Sequence, residues 1–162
     1  YVFLLQVKDY ERVIRDTERN MGCFEFLHQF AVLDEDRMNL QKWWPYIIRI
    51  HATALSSQLA DDEKFDRALR VLSESRQRIE ALDHVDAEEF HAERERSVEA
   101  LDELAQEIRG RKPLSERERL EKALEEAITD EAFEQAAQLR DQLRDLPDTE
   151  PDTEPDTESD TE

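Results

Sequence analysis

Leu120-Glu121-Lys122-Ala123-Leu124-Glu125-Glu126-Ala127 and, after a short break, Phe133-Glu134-Gln135-Ala136-Ala137-Gln138-Leu139-Arg140-Asp141-Gln142-Leu143 are the stretches that decide how this chain of 162 residues is read. Leu120, Leu124, Ala127 and Ile128 fall at three- and four-residue steps, the spacing of one helical face. Phe133, Ala136, Ala137, Leu139, Leu143 and Leu146 supply a second apolar face. Ser115 and Glu118 form an S-x-x-E capping box ahead of the first stretch, and Thr129-Asp130 offers a cap to the second. Pro147 ends the pattern, because the residue before a proline avoids helical backbone. The prediction is two short antiparallel helices over residues 113–147.

The same local order occurs twice upstream. Asp9-Tyr10-Glu11-Arg12-Val13-Ile14 and Lys64-Phe65-Asp66-Arg67-Ala68-Leu69 each set an aromatic before an acid, then a polar residue, then two small or apolar ones, as Ala132-Phe133-Glu134-Gln135-Ala136-Ala137 does. Each follows apolar helical residues: Leu4-Leu5, then Leu55 and Leu59, then Leu124 and Ile128. This is the signature of a helical hairpin, in which the aromatic plugs the turn and the small residue three places on lets the helices approach. Tyr10, Phe65 and Phe133 are unevenly spaced, so a regular solenoid does not follow. Other breaks carry helix-end chemistry. Asp34-Glu35-Asp36 precedes a run to about Ala60, within which Trp43-Trp44-Pro45 predicts a kink or break. Asp86 with Glu89 reads as a capping box opening a run to about Arg109, and Gly110-Arg111-Lys112-Pro113 reads as a stop with the glycine at the C-cap.

Composition narrows the function. Two glycines exclude a dinucleotide fingerprint and a Walker A loop. No window alternates with the period of a strand, so the fold class is all-α: helical hairpins in an array or bundle over 1–112, the C-terminal hairpin over 113–147 and a tail over 148–162. That tail repeats Pro-Asp-Thr-Glu, holds eight carboxylates and no hydrophobic residue, and is expected to be disordered. Nine of the twelve aromatics lie within residues 1–46, so the best-packed core is expected to involve that end. Tyr1-Val2-Phe3-Leu4-Leu5 opens on an apolar run resembling a helix interior, so the chain is expected to be a fragment or processed product. One cysteine, no secretory signal and no apolar run of membrane-spanning length give a cytoplasmic expectation.

The Phe-Glu-x-Ala-Ala-x-Leu-Arg-Asp-x-Leu pattern at Phe133 to Leu143 resembles the UVR motif, the helical hairpin of the UvrB and UvrC excision-repair subunits. It is also similar to hairpins of Clp ATPase middle domains and of zinc-binding kinase-activator proteins. The upstream hairpins resemble degenerate tetratricopeptide units, and the whole arrangement resembles bacterial proteins known by the UVR motif alone. The resemblance implies association of hairpin with hairpin, between proteins or between copies. Phe133 would sit near that contact, and Arg140 with Asp141 would set its register. The partner-binding set is Leu124, Ile128, Phe133, Ala136, Ala137, Arg140, Asp141 and Leu143. Phe133 is expected to be buried, so that its truncation costs about 3–5 kcal/mol.

Chemistry of other kinds is weakly represented. His28, His51, His84 and His91 include no pair three or four residues apart, and the CxxC pairs of zinc-binding UVR proteins are missing, so no metal or other cofactor is expected. His28 and His51 read as core or boundary residues, and Cys23 as a small buried one. No catalytic constellation stands out, so the chain is expected not to be an enzyme. A formal charge of −20 repels phosphate, which speaks against direct nucleic-acid binding. The expected function is non-catalytic protein–protein interaction through the hairpin. The alternative is an accessory factor of nucleotide excision repair or of a Clp-type stress machine.

Overall fold

Ala-, Leu-, Glu- and Arg-rich segments of this kind lose little side-chain freedom in a helix, and helix is what they form. The computed structural model describes residues 1–33 and 39–146. Within them lie α1 (Val2–Gln6), α2 (Tyr10–Phe30), α3 (Trp44–Asp61), α4 (Phe65–Glu80), α5 (Glu88–Arg111), α6 (Glu116–Thr129) and α7 (Phe133–Asp145). No strand occurs among the described residues, and no helix there is long and apolar enough to cross a membrane. The three acids at 34–36, Pro147 and the 148–162 tail fall outside the described residues.

The chain divides into two compact units, Tyr1–Lys112 and Pro113 onward. In the first, α3 packs against α2, α4 and α5. Its sequence explains that position: Ile47, Ile48, Ile50, Ala52, Ala54, Ser56 and Ala60 point to every side of the helix and are all buried, as in a helix enclosed by neighbours. Ala68, Leu72 and Ile79 of α4, Leu101, Ala105 and Ile108 of α5, and Met21 of α2 complete the main core. Val13, Ile50 and Ala54 form a second cluster with Leu4, Leu5 and Tyr10 around it. The core therefore centres on α3–α5 and involves the 1–46 end through Met21, with Tyr1, Phe24 and Trp44 packed on it. Phe3, Phe26 and Phe30 are exposed, and small aliphatic residues do the close packing.

The expected break at Trp43-Trp44-Pro45 is present: residues 39–41 are helical, 42–43 turn, and α3 starts at Trp44. Pro45 sits in the first turn of α3, where its missing N–H and fixed φ cost nothing. Two of the expected caps are not used. α5 is entered from Ala87 without a side-chain cap, and α7 from Ala132, with Asp130 closing α6 instead. Gly110 remains inside α5, which ends at Lys112 in extended backbone; Pro113 imposes that conformation, so no glycine C-cap is needed. The Ser115–Glu118 capping box is present in both directions.

The three sequence-matched corners share one backbone. Val7, Asp62 and Asp130 close the first helix of each with φ near −85° and ψ near +6° (−89°/8°, −82°/7° and −83°/4°). The next residue is left-handed: Lys8 at φ 57°, Glu63 at 62° and Glu131 at 56°. Asp9, Lys64 and Ala132 follow, with φ/ψ of −84°/64°, −86°/58° and −82°/65°. In each corner two backbone N–H groups fold back on the helix just completed. The N–H of Glu63 donates to Ala60 and that of Lys64 to Leu59; Glu131 donates to Ile128 and Ala132 to Ala127; Lys8 donates to Leu5 and Asp9 to Leu4. These are Schellman closures, which satisfy carbonyls that a helix end otherwise leaves open.

A buried polar knot ties α3 to α5. The guanidinium of Arg49 donates to Glu93 at 2.8 Å and to Ser97 at 3.2 Å, while Arg96 reaches the second Glu93 oxygen at 2.6 Å. Glu93 is buried yet fully engaged, as a charge out of water must be. Thr17 of α2 bonds the His51 ring of α3 at 2.9 Å, and burial pushes the His51 pKa down.

Candidate docking hairpin

The second unit is α6 packed on α7. The capping box sets where α6 begins: Glu118 N–H donates to Ser115 Oγ at 3.2 Å, and Ser115 N–H donates to the Glu118 carboxylate at 2.7 Å. From there the three- and four-residue rhythm brings Leu120, Ala123, Leu124 and Ala127 to the seam, with Ala132, Ala136, Leu139, Leu143 and Leu146 from the α7 side. Only Ala127 among these is buried; the other eight remain half-buried. Two helices of 14 and 13 residues cover each other on one side alone.

At the turn the apolar surface is open. Ile128 is 56% exposed and Phe133 69% exposed. They flank the corner built by the Ile128 carbonyl, Glu131 and Ala132. This reverses the expectation for both residues: Ile128 leaves the hairpin face, and Phe133 does not plug its own turn. The two upstream aromatics do what Phe133 does not, since Tyr10 and Phe65 are half-buried against their clusters. The difference is physical. Their corners lie in a unit with further helices to pack on, whereas α6 and α7 are a pair.

Of the remaining expected contact residues, Leu124, Ala136 and Leu143 are half-buried along the seam, and Ala137, Arg140 and Asp141 are exposed on α7. Asp141 pairs with Arg144 at 3.2 Å, one turn further along its own helix.

Electrostatics single out the same end of the hairpin. Glu125, Glu126, Asp130, Glu131 and Glu134 are all exposed around the turn, and residues 123–139 include no Lys, Arg or His. The apolar and Arg140–Asp141 expectations did not include this rim, although its signature, five acids in a stretch without a base, is plain in the sequence. Glu134 stands in the first turn of α7, where the helix dipole favours an anion. Glu125 and Glu126 stand in the last turn of α6, which holds no base, and there the dipole disfavours them.

Elsewhere the first unit has a recess of about 580 Å³ lined by Trp44, Leu82, Val85 and Phe90, with Glu25 and His28 beside them. Cys23 is exposed, contrary to its reading as a buried residue, and His28, read as a core or boundary residue, is exposed at the edge of this recess. His84 and His91 come together, ring centroids 4.8 Å apart, through the loop before α5 and not through helical spacing. Among the described residues no group of three His, Cys, Asp or Glu is placed to hold a metal ion.

Residues 115–146 match the family model of the UvrB/uvrC motif, UVR. The matched residues run from the capping serine of α6 to the residue that closes α7. No curated protein and no solved structure matches the chain.

Proposed function

We propose that this protein is a non-catalytic interaction protein, with residues 1–112 as the body, the UVR hairpin at 113–147 as the docking element and 148–162 as an acidic tail. The observation that carries this reading is the apolar surface the hairpin leaves open. A pair of helices this short lies below the size, roughly 40 residues, at which chains commonly fold unaided. Its seam is half-covered and Ile128 and Phe133 stand in solvent. An apolar patch framed by charge on a small helical element is characteristic of a surface used for association. Leu124, Ile128, Phe133, Ala136, Ala137, Arg140, Asp141 and Leu143 form the docking face, and its occupant is a protein, either a different one or a second copy. A charge of −20 disfavours nucleic acid as that occupant.

The test uses the full chain. Sedimentation reads self-association, and affinity capture with the intact chain and with its Ile128→Ser/Phe133→Ser variant reads partner binding. The reading holds if either association is lost in the double variant while its helical signal persists. It fails if the chain is monomeric and both forms capture the same proteins.

The motif match supports a second reading, an accessory factor of nucleotide excision repair or of a Clp-type machine. Adding the purified chain to an excision-repair incision assay and to a Clp ATPase assay tests it. Unchanged rates in both remove it and leave the first reading standing.

A further inference from the structure

We infer that the hairpin tip is a plug for a cation-rimmed socket on a different protein, with Ile128 and Phe133 entering an apolar cavity whose edge carries lysine or arginine. This deepens the docking reading above and rests on it. Three observations select the occupant.

Ile128 and Phe133 are open to solvent at one end of the hairpin, on either side of the three-residue turn 130–132. Glu125, Glu126, Asp130, Glu131 and Glu134 are exposed in the same stretch, with no base between Lys122 and Arg140. Any surface that covers the two apolar side chains must therefore approach five carboxylates, and like charge opposite them is repelled while Lys or Arg is attracted.

The placement of these acids is also locally unfavourable. Glu125, Glu126 and Asp130 crowd the negative end of the α6 dipole; the last turn holds no base, and Lys122, one turn back, is the single cation lining the recess they share. The corners formed by Lys8 and Glu63 have cations at hand: Lys8 pairs with Asp61, and Lys64 with Asp62. The α6 corner is the one whose sequence contradicts the local electrostatic preference, and such contradictions mark places held for another purpose. A partner's cations would satisfy it.

The same charge argues against a second copy meeting tip to tip. A two-fold contact is self-complementary, so each set of five carboxylates would face its own image. That disfavours the self-complementary dimer, and a cation-rimmed socket on a different protein is the occupant we infer.

Replacing Phe133 by p-benzoylphenylalanine in the full chain places a photo-crosslinker at the plug. The purified chain and the chain in cell extract are irradiated separately, and the adduct site on the captured protein is mapped. The expected result is an adduct with a different protein, at an apolar cavity flanked by Lys or Arg. Its yield falls at least about fivefold in the Glu125→Gln/Glu126→Gln/Glu134→Gln variant and falls with rising salt. An adduct between copies in the purified sample, tip to tip or tip to body, overturns the inference. So does an adduct whose yield the triple variant leaves unchanged, although the docking reading survives both outcomes. No adduct above background overturns the inference and the docking reading together.

Discussion

Phe133 lies in solvent, and that changes what its removal does. A phenylalanine buried in a core costs several kcal/mol on truncation, but one 69% exposed leaves little packing to lose. Phe133→Ala is expected to shift unfolding stability by no more than about 0.5 kcal/mol in a urea titration, while reducing partner capture severely. Loss of folding in that variant would show that Phe133 is a structural residue after all. Glu93 is the opposite case. It sits in the α3–α5 interior with Arg49 and Ser97, and Arg49 is itself largely withdrawn from water. Glu93→Ala strands that guanidinium, and the expected cost is about 3–5 kcal/mol, read as a lowered urea midpoint. A midpoint within error of the parent would mean that Arg49 swings out to solvent at no cost.

At the level of the element, the corners join local sequence to fold. Each forces a non-glycine residue into left-handed backbone, where its Cβ crowds the following carbonyl. Glu131→Gly removes that crowding and one of the tip carboxylates. It is expected to raise the thermal midpoint of the hairpin by the equivalent of about 0.5–1 kcal/mol, net of the entropy glycine brings to the unfolded chain. A lowered midpoint would count against the corner as a source of strain. The corners also show how far the sequence could be read. The repeated aromatic–acid–polar–small order located all three, because the small or compact residue three places after the aromatic sits where the two helices approach, as the fully buried Val13 and Ala68 and the half-buried Ala136 do. The capping box at Ser115 was legible because both of its bonds are local. The apparent box at Asp86 was not formed: the helix starts from Ala87, and a residue pattern fixes a cap only when the backbone turns at that residue. Burial was the least legible property. Ile128 and Phe133 carry the apolar signature of a core position, and whether such a residue is covered depends on a third element that the hairpin's own sequence does not encode. The acidic stretch was written in the sequence openly, and became meaningful once Ile128 and Phe133 within it proved exposed.

Across the first unit, one carboxylate gathers three separate parts of the chain. Asp61, at the end of α3, accepts from Lys8 at 2.9 Å, from the Tyr10 hydroxyl at 3.4 Å and from Arg111 at 3.1 Å. The hydrogen bonds from Lys8 and Arg111 hold the Asp61 carboxyl below its ordinary pKa, and the bond to Asp61 raises that of Lys8. The folded value of Asp61 lies below the unfolded one. Its contribution is therefore complete above the ordinary aspartate range and fades as pH falls through the folded value. For Lys8 the contribution is complete below the ordinary lysine value and fades as pH rises through the raised one. Melting temperature followed from pH 7 into acid is expected to fall more steeply for the parent chain than for Asp61→Asn. At pH 7 the variant itself is expected to lose about 1 kcal/mol or less, because Lys8 and Arg111 face water. Parallel acid limbs in the two proteins would show that Asp61 is not a node of this unit.

The backbone of a corner bends the chain the same way whether its left-handed position carries Lys8, Glu63 or Glu131. Direction is thus delegated to the main chain, and the side chains around the bend are released from that duty. In two places they are spent on cohesion, and in the third they are left over as a face with its own character. Exchanging those outward residues would alter whom the protein meets without altering its build, so new associations could arise at this bend by substitution alone.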